Sequence, residues 1–145
     1  MSITTILNRK GDDVLTIDGG ATLHDAVARL AEVGVGALVV SGDGRTVEGI
    51  ISERDIVAAL ARHGESCLQR SVAETMTRHV TTCAPDAAVN AVMATMTHRR
   101  MRHIPVVDDG ELRGIVSIGD VVKFRIDELE AETASLQDYV LGRTY

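Results

Sequence analysis

Aromatic residues are scarce in this chain, whose 145 residues include one Phe, two Tyr and no Trp. Proteins that bind single-stranded nucleic acid commonly stack the bases on aromatic rings, so this scarcity disfavours that class. The charge of the chain also disfavours nucleic-acid binding, because the formal net charge is −6. Acidic residues outnumber Lys and Arg by ten to seven up to Arg70 and by eleven to eight in the rest. Neither half is basic enough to drive binding through counterion release, and we expect no nucleic-acid partner.

Long apolar segments and paired cysteines are also missing. No segment approaches the length of about 18 apolar residues that a membrane-spanning helix needs, and the N-terminus lacks the apolar core of a signal peptide. Cys67 and Cys83 are isolated and form no Cys-x-x-Cys pair. We interpret them as free thiols in a reducing cytosol. We therefore expect a cytoplasmic protein without membrane association.

Sequence motifs of catalytic sites are absent too. The chain has no Gly-x4-Gly-Lys-Ser/Thr loop, no Gly-x-Gly-x-x-Gly fingerprint and no Gly-x-Ser-x-Gly elbow. Its five histidines, at positions 24, 63, 79, 98 and 103, show neither an i, i+4 pair nor an adjacent cysteine pair. We therefore expect that the protein is not an enzyme, binds no metal and requires no cofactor.

The main positive feature is a tandem repeat of about sixty residues. Gly49–Val57 reads GIISERDIV and matches GIVSIGDVV at Gly114–Val122, at a constant offset of 65. Upstream, Ala37–Val40 is set against Ile104–Val107, and Val14–Asp18 against Val80–Ala84.

Each matched segment predicts a β-strand that runs directly into a helix. Ser52 is followed three residues later by Asp55, and Ser117 by Asp120, which is a capping-box signature. A helix N-terminus presents unpaired backbone N–H groups, and an Asp there can hold the cap and still accept hydrogen bonds from ligand hydroxyls. The alternative is that both boxes only cap their helices.

The remaining elements follow from apolar spacing and turn signals. We predict a short strand at Val14–Ile17, a helix from the Thr22 cap to Val33 and a linker at 64–71. In the second half we predict a strand at Val80–Cys83. Asp86 is expected to cap the helix Ala88–His98, and a β-hairpin follows it.

The helical pattern after Asp120 continues far beyond the repeat. A heptad-like apolar seam is spaced alternately four and three residues apart and consists of Val122, Ile126, Leu129, Thr133, Leu136 and Val140. Such a seam needs a partner surface. It can fold back on its own chain or pack against a second copy, and we favour a homodimer.

The repeat and its motifs resemble the CBS domain family in the tandem arrangement called a Bateman module. The motifs are Gly-Ile-Ile-Ser-x-x-Asp at 49–55, Arg-His-Ile-Pro-Val-Val at 102–107 and Gly-Ile-Val-Ser-x-x-Asp at 114–120. This resemblance implies an α/β fold of two β-α-β-β-α repeats packed with pseudo-twofold symmetry, plus a long C-terminal helix. We expect the first repeat at 6–64, the second at 72–127 and the helical extension at 128–145.

In this family the matching aspartate holds the ribose of an adenosine ligand, which implies that role for Asp55 and Asp120. For the first site the resemblance also nominates Thr16, Val35, Gly36, Ala37 and Ser52. For the second site it nominates Thr82, Arg102, His103, Ile104, Pro105 and Ser117.

The function implied is a stand-alone regulatory module that senses an adenosine-containing ligand and modulates an unknown effector protein. The candidate ligands are AMP, ADP and ATP, with NAD(H) and S-adenosylmethionine as further members of the class. An adenine nucleotide would then be a regulatory ligand rather than a cofactor. The alternative is a ligand-independent interaction scaffold.

The basic run from His98 to His103 admits three interpretations: a solvated helix end, a phosphate contact or a nucleic-acid contact. Arg102 and His103 stand where the first repeat is taken to have Val35 and Gly36. A guanidinium can form bidentate contacts with a phosphate, so we predict that phosphorylated ligands prefer the site around Arg102 and Asp120. Arg54, inside the first capping motif, is a further candidate for phosphate contact.

Overall fold

The computed structural model describes residues 1–11 and 13–142. The helices are α1 (Ile3–Lys10), α2 (Leu23–Val33), α3 (Glu53–His63), α4 (Val72–Thr75), α5 (Val89–Arg99) and α6 (Ile118–Val140). The strands are β1 (Thr16–Ile17), β2 (Ala37–Val40), β3 (Gly49–Ser52), β4 (His103–Asp108) and β5 (Glu111–Ser117). A 3-10 helix at Gly64–Gln69 occupies most of the predicted linker.

The strands described here form one sheet in each repeat. In the first sheet β2 pairs in parallel with β1 and antiparallel with β3, and Ala37 lies opposite Ser52. In the second sheet β4 and β5 form the predicted hairpin, with His103 opposite Ser117. Each of the last strands runs straight into its helix, as predicted. The fold class, two α/β repeats with a long C-terminal helix, is confirmed.

The strand predicted at Val80–Cys83 is wrong. Only Cys83 pairs, through a single parallel bridge to Val106, in which its N–H donates to the Pro105 carbonyl (3.0 Å) and its carbonyl accepts from the Val107 N–H (2.9 Å). Continuing that register would place Thr82 opposite Pro105. Proline has no N–H to donate to the ladder, so the pairing ends after one bridge.

The N-terminal cap of α5 also differs from the prediction. Ala88, not Asp86, is the N-cap residue, and no side chain caps the helix. Instead the Val89 N–H donates to the Met1 carbonyl (3.2 Å), and Ser2 bridges to Ala88. A backbone segment from the start of the chain therefore replaces the expected side chain.

The short helices α1 and α4, which lie at the starts of the two repeats, are exchanged between the hydrophobic cores. Residues Ile3, Ile6 and Leu7 of α1 are buried in a core built otherwise from the second repeat. Val72 of α4, with Cys67, is buried in the core of the first repeat. Backbone bonds hold both contacts: the Ile3 N–H donates to the Ala87 carbonyl (2.9 Å), and the Val72 N–H to the Ala21 carbonyl (2.7 Å). This reciprocal exchange fits the predicted pseudo-twofold packing, while the repeat boundaries stay a prediction.

The glycines that open the two matched segments make room for these exchanged helices. A Cβ at Gly49 would lie 2.5 Å from the Met76 sulfur and 2.9 Å from the Thr77 carbonyl oxygen. A Cβ at Gly114 would lie 2.7 Å from a methyl carbon of Leu7. The glycine of each motif is therefore required by packing between the repeats.

The first turns of α6 are anchored by the buried Val121 and Phe124, and the rest of the helix extends away from the body. The seam residues are exposed: Val122 42%, Ile126 49%, Leu129 44%, Leu136 65% and Val140 79%. The seam is therefore not covered by the described part of its own chain, which disfavours the self-docking alternative. Residues 143–145 of the predicted extension lie outside the described residues.

Both cysteines are free, as predicted. Cys67 is buried in the first core, and Cys83 is half-buried. Burial raises the pKa of the Cys83 thiol to about 11. The thiol therefore stays protonated at neutral pH, and it behaves as a small apolar side chain.

Candidate functional site

The two capping boxes have matching geometry. The Ser52 hydroxyl accepts the Asp55 N–H (3.4 Å), and the Asp55 Oδ2 accepts the Ser52 N–H (2.9 Å). The Ser117 hydroxyl accepts the Asp120 N–H (3.1 Å), and the Asp120 Oδ2 accepts the Ser117 N–H (2.9 Å). Both predicted caps are therefore confirmed.

The remaining partner of Asp55 is a hydroxyl group. Thr77 donates from its Oγ1 to the Asp55 Oδ1 at 3.2 Å. The backbone of Thr77 also pairs in both directions with Ile50 of β3, which fixes this side chain beside the carboxylate. Thr77, two residues after the end of the exchanged helix α4, thus lies beside the Asp55 carboxylate.

Asp120 instead contacts a cation from α1. The Lys10 Nζ donates to the Asp120 Oδ2 at 2.6 Å and to the Ile115 carbonyl at 2.9 Å. Burial acts to raise the pKa of Asp120, but the hydrogen bonds from Lys10 and Ser117 prevail and lower it below its ordinary value. This carboxylate is therefore ionised and paired within the fold.

A cleft of about 630 Å³ lies between the two repeats. Seven predicted site residues line it: Gly36, Ser52, Arg54, Asp55, Arg102, His103 and Ser117. The structure thus brings Arg102 and His103, which the sequence assigned to the second site, into one cleft with Asp55. The repeats contribute to a shared cavity that contains members of both predicted residue sets, and the assignment of these residues to ligand positions stays a prediction.

The other predicted residues lie outside the lining of this cleft. Thr16 of β1 pairs with Val39 of β2, Val35 is partly exposed in the turn before β2, and Thr82 is exposed. Three are buried in the sheets, namely Ala37, Ile104 and Pro105. Asp120 lines a smaller pocket of about 170 Å³ beside α1, together with Ile6, Arg9, Lys10, Lys123, Phe124 and Asp127. Whether any of them contacts a ligand stays a prediction.

Half of the cleft lining was not identified from the sequence. The additional residues are Ile50, Glu53, Val57, Thr77, Arg100, Met101 and Ile118. The matched segments contain Ile50, Glu53, Val57 and Ile118, so the repeat itself marked their location. No sequence motif marked Thr77 as a site residue, because its position beside Asp55 depends on the exchange of α4 between the repeats.

His103 of the second repeat contacts the first repeat in the cleft. A Cβ at Gly36 would approach the His103 ring to 3.1 Å, so the ring packs directly on the first repeat's backbone. Burial lowers the pKa of His103, assisted by Lys10 and Arg102 and opposed by Asp120 and Glu53. The ring is therefore uncharged at neutral pH and can offer one donor and one acceptor.

Strand pairing corrects the register of the internal alignment. Ala37 lies opposite Ser52, and His103 lies opposite Ser117, so Ala37 and His103 are equivalent positions. Arg102 then corresponds to Gly36, not to Val35 as the sequence alignment had it. The alignment was wrong by one residue because it matched Val40 to Val107, whereas the ladders place Val40 opposite Gly49 and Val106 opposite Gly114.

Neither a metal-binding group nor a membrane-spanning helix is found in the part of the chain that the structure describes. Residues 1–11 and 13–142 contain no group of His, Cys, Asp and Glu arranged to hold a metal ion. None of the helices in these ranges combines the length and apolarity needed to cross a bilayer.

The profile of the CBS domain family matches residues 6–62 and 71–127. The chain belongs to the CBS domain family. Its two CBS domains lie in tandem, and the cleft described above is the space between them. The Ser-x-x-Asp motifs and the hairpin are thus the features on which the sequence resemblance correctly rested.

Solved structures of CBS pairs have the same fold. The CBS-domain containing protein ATU1752 from Agrobacterium tumefaciens has a TM-score of 0.83 and 42% identity, over 86% of this chain and 99% of that chain. The CBS domain protein PAE2072 from Pyrobaculum aerophilum, whose structure is a complex with AMP, has a TM-score of 0.78 and 26% identity, over 92% of this chain and 99% of that chain.

A curated relative is the mitochondrial CBS domain-containing protein CBSX3 of Arabidopsis thaliana. It is 38% identical over 125 residues, which cover 83% of this chain and 61% of the plant protein. The chain therefore spans less than two thirds of this relative's length.

Proposed function

We propose that this CBS pair is a regulatory module that binds an adenosine-containing ligand in the cleft between its repeats. The observation that carries the proposal is the position of Asp55, whose carboxylate faces a cavity of about 630 Å³ shared by both CBS domains. A cavity of this volume falls within the range of small-molecule sites. The AMP complex of the Pyrobaculum CBS protein supports the class of ligand.

The contacts of Asp55 suit a ribose. Its Oδ2 maintains the helix cap, while its Oδ1 accepts the Thr77 hydroxyl at 3.2 Å. A sugar hydroxyl is the same kind of donor as the threonine hydroxyl. A ribose can therefore replace or join Thr77 on this oxygen without disturbing the cap.

The apolar part of the lining suits an adenine ring. Ile50, Val57, Met101 and Ile118 contribute apolar surface to the cleft, in addition to the backbone at Gly36. A purine ring can bury its faces between such side chains and bond its edges to backbone groups. AMP, ADP and ATP are the leading candidates within this class, and NAD(H) and S-adenosylmethionine share the same adenosine portion.

The regulatory part of the proposal concerns how the presence of the bound ligand is communicated to another protein. The cleft offers binding groups but no nucleophile paired with a base, so the module acts by binding and not by catalysis. We propose that it works in the cytoplasm and passes the ligand state to an effector protein. We also propose that it does so as a homodimer held by the exposed seam of α6.

Replacing Asp55 by Ala tests the ligand site directly. Losing a charge-assisted contact to the ribose costs about 1.5–3 kcal/mol, so adenosine and AMP should bind at least about tenfold more weakly. Titration calorimetry on the wild-type chain and the variant measures this change. Asp25→Ala is the matched control, because it removes the equivalent capping box at the start of α2, which does not line the cleft, and it should retain binding. Unchanged affinity in a folded Asp55→Ala protein contradicts the ribose assignment.

A ligand-independent scaffold is the second candidate function. The observation in its favour is that both carboxylates already have partners in the fold, Thr77 on Asp55 and Lys10 on Asp120. A thermal-shift series with adenosine, AMP, ADP, ATP, NAD and S-adenosylmethionine separates the two functions. A rise of the melting temperature with at least one compound supports the sensor, since a ligand that binds the native state stabilises it. No rise with any of them supports the scaffold.

A further inference from the structure

The seam of α6 carries different residue types at its two alternating positions. In a coiled-coil heptad the step from position a to position d is three residues, and the step from d to the next a is four. The spacing of the seam therefore gives position a only β-branched residues, namely Ile126, Thr133 and Val140. Position d holds Val122, Leu129 and Leu136. In parallel coiled coils, β-branched residues at a with leucine at d favour two strands over three or four.

A groove of about 320 Å³ lies along this seam. Its lining consists of Ile126, Leu129, Glu130, Thr133, Ala134 and Gln137. In a parallel coiled coil, a leucine at position d inserts among four residues of the facing helix, at positions a, d, e and the next a. Ile126, Leu129, Glu130 and Thr133 hold these four positions. The groove is therefore placed to receive the Leu129 side chain of a second copy.

The body of the molecule lies behind the seam. Val121 and Phe124, which anchor α6 to the body, are buried and fall at positions c and f. These positions point away from the a and d side of a helix. Two copies of α6 can therefore meet along their seams with both bodies on the outside. The helix is also formed before it pairs, so a short coiled coil here needs no separate helix nucleation.

Charged residues flank the seam on both sides. Lys123 and Glu130 lie at position e, and Arg125 and Glu132 at position g. In a parallel pair, position g faces the partner's position e five residues further on, so Arg125 faces Glu130 on both sides of the axis. Arg125 already bonds to Glu128 of its own helix, and its guanidinium has enough donors for both carboxylates. The other pairs between positions g and e do not join like charges.

An antiparallel pair forces a choice between apolar cover and charge. With the two seams fully overlapped, positions e face each other and so do positions g, which sets Glu130 against its own copy and Glu132 likewise. Sliding one helix by a heptad pairs these glutamates with Lys123 and Arg125 instead. That register leaves the last two seam residues beyond the end of the partner's seam. Because an exposed ion pair contributes less than the burial of a leucine side chain, the slid register loses more than it gains.

We infer that two copies of α6 form a parallel, in-register coiled coil, with the twofold axis along the helices and both CBS pairs at the same end. Of the three arrangements, this one covers the whole seam and faces no like charges. The apolar layers hold the dimer, and the ion pairs of Arg125 with Glu130 set its direction. The inference rests on the homodimer of the proposed function, and it adds the orientation and the register.

Disulfide cross-linking of single-cysteine variants measures the orientation. In the parallel pair Leu136 lies beside its own copy, so oxidation of Leu136→Cys with diamide should link most of the chains into covalent dimers. In either antiparallel register the two copies of this position lie at least about 15 Å apart along the axis, too far for a disulfide. Non-reducing gel electrophoresis gives the linked fraction. Val140→Cys should cross-link in the same way, and it repeats the test in case Leu136→Cys weakens the dimer.

The matched control is Ser135→Cys, which places a thiol next to Leu136 but at position c, on the outer face of the helix. It should remain unlinked under the same oxidation. The wild-type chain controls for the two native thiols, since Cys67 is buried and Cys83 is half-buried.

The outcomes separate the orientation from the homodimer. Cross-linking of the two seam variants well above that of Ser135→Cys supports the parallel coiled coil. Seam variants that are dimeric in light scattering but do not cross-link overturn the orientation and leave the proposed homodimer intact. Equal cross-linking of Ser135→Cys overturns the orientation too, because the contact is then not confined to the seam. A monomeric wild-type chain overturns both, while ligand binding is measured independently by the titrations of Asp55→Ala.

Discussion

Asp55 and Asp120 occupy equivalent positions, but the exchanged segments give them different partners. Thr77 after α4 contributes a neutral hydroxyl to Asp55, whereas Lys10 of α1 contributes an ammonium group to Asp120. The first carboxylate keeps its charge available to a cavity, and the second is neutralised by its neighbour. A ligand that uses Asp120 has to compete with Lys10. The asymmetry between the sites therefore lies mainly outside the repeated motif.

The pairing of Lys10 with Asp120 makes stability depend on pH in a defined direction. The pKa of Asp120 is lower in the folded chain than its ordinary value. A carboxyl group of this kind contributes stability above its unfolded pKa, near 3.9, and loses it as the pH falls through the folded pKa. Lys10→Met should lower the free energy of unfolding by about 1 kcal/mol at pH 7, because both groups are partly exposed to solvent.

Urea unfolding at a series of pH values measures this effect. The difference between Lys10→Met and the wild type should shrink below about pH 4 and vanish once Asp120 is protonated in both states. Lys123→Met is the control, since Lys123 lines the same pocket but its ammonium does not bond to Asp120. A difference that stays constant down to pH 2 would show that Lys10 stabilises the fold through packing alone.

At the scale of the secondary-structure elements, each matched segment begins with a glycine because residues from the start of the other repeat pack closely against it. At Gly49 the approaching group includes the Thr77 carbonyl, which is backbone, whereas at Gly114 it is the end of the Leu7 side chain. Side chains can move aside more readily than backbone. The two glycines therefore differ in how much substitution they tolerate.

Alanine substitutions test this difference. Gly49→Ala should destabilise the chain by about 2–3 kcal/mol, and Gly114→Ala by about 1–2 kcal/mol, which is the range for overpacking a well-filled core. Chemical denaturation gives both values. Gly119→Ala is the control, because its Cβ would meet only the Ser117 hydroxyl at 3.6 Å in the first turn of a helix, where alanine is favoured. Equal stability of all three variants would refute the packing role.

Local sequence signals predicted most of these elements, and the errors have a common cause. The caps at Thr22, Ser52 and Ser117 depend on residues three positions apart, so the sequence sufficed. The strand at Val80–Cys83 and the Asp86 cap failed because their outcome depends on Pro105 and Met1, which are distant along the chain. The cleft is a mixed case: the motifs identified Ser52, Asp55 and Arg102, whereas Thr77 and Arg100 required the tertiary arrangement.

At the scale of the whole molecule, the seam of α6 is an apolar surface that the described residues leave exposed. Apolar residues on one face of a helix that leaves the body are typical of a surface that associates with another helix. We expect the chain to be a dimer in light scattering and a version that ends at Asp127 to be a monomer. Leu129→Glu with Leu136→Glu in the full chain should also give a monomer, since both side chains lie on the seam.

The control for the dimer is Glu130→Lys with Glu132→Lys, which alters two residues of α6 that the seam does not include and should leave the mass unchanged. A monomeric full-length chain would contradict the proposal. A truncated chain that still dimerises would move the interface onto the repeats.

The exchange of α1 into the second core also constrains how the chain folds as it is synthesised. The apolar face of α1, with Ile3, Ile6 and Leu7, leaves the ribosome long before its partners Val116 and Val121, with which it shares a core. The first repeat can complete its own core once Val72 has emerged. The apolar face of α1 therefore stays without these partners while the intervening hundred or so residues are synthesised, a period in which exposed apolar surface favours misassembly.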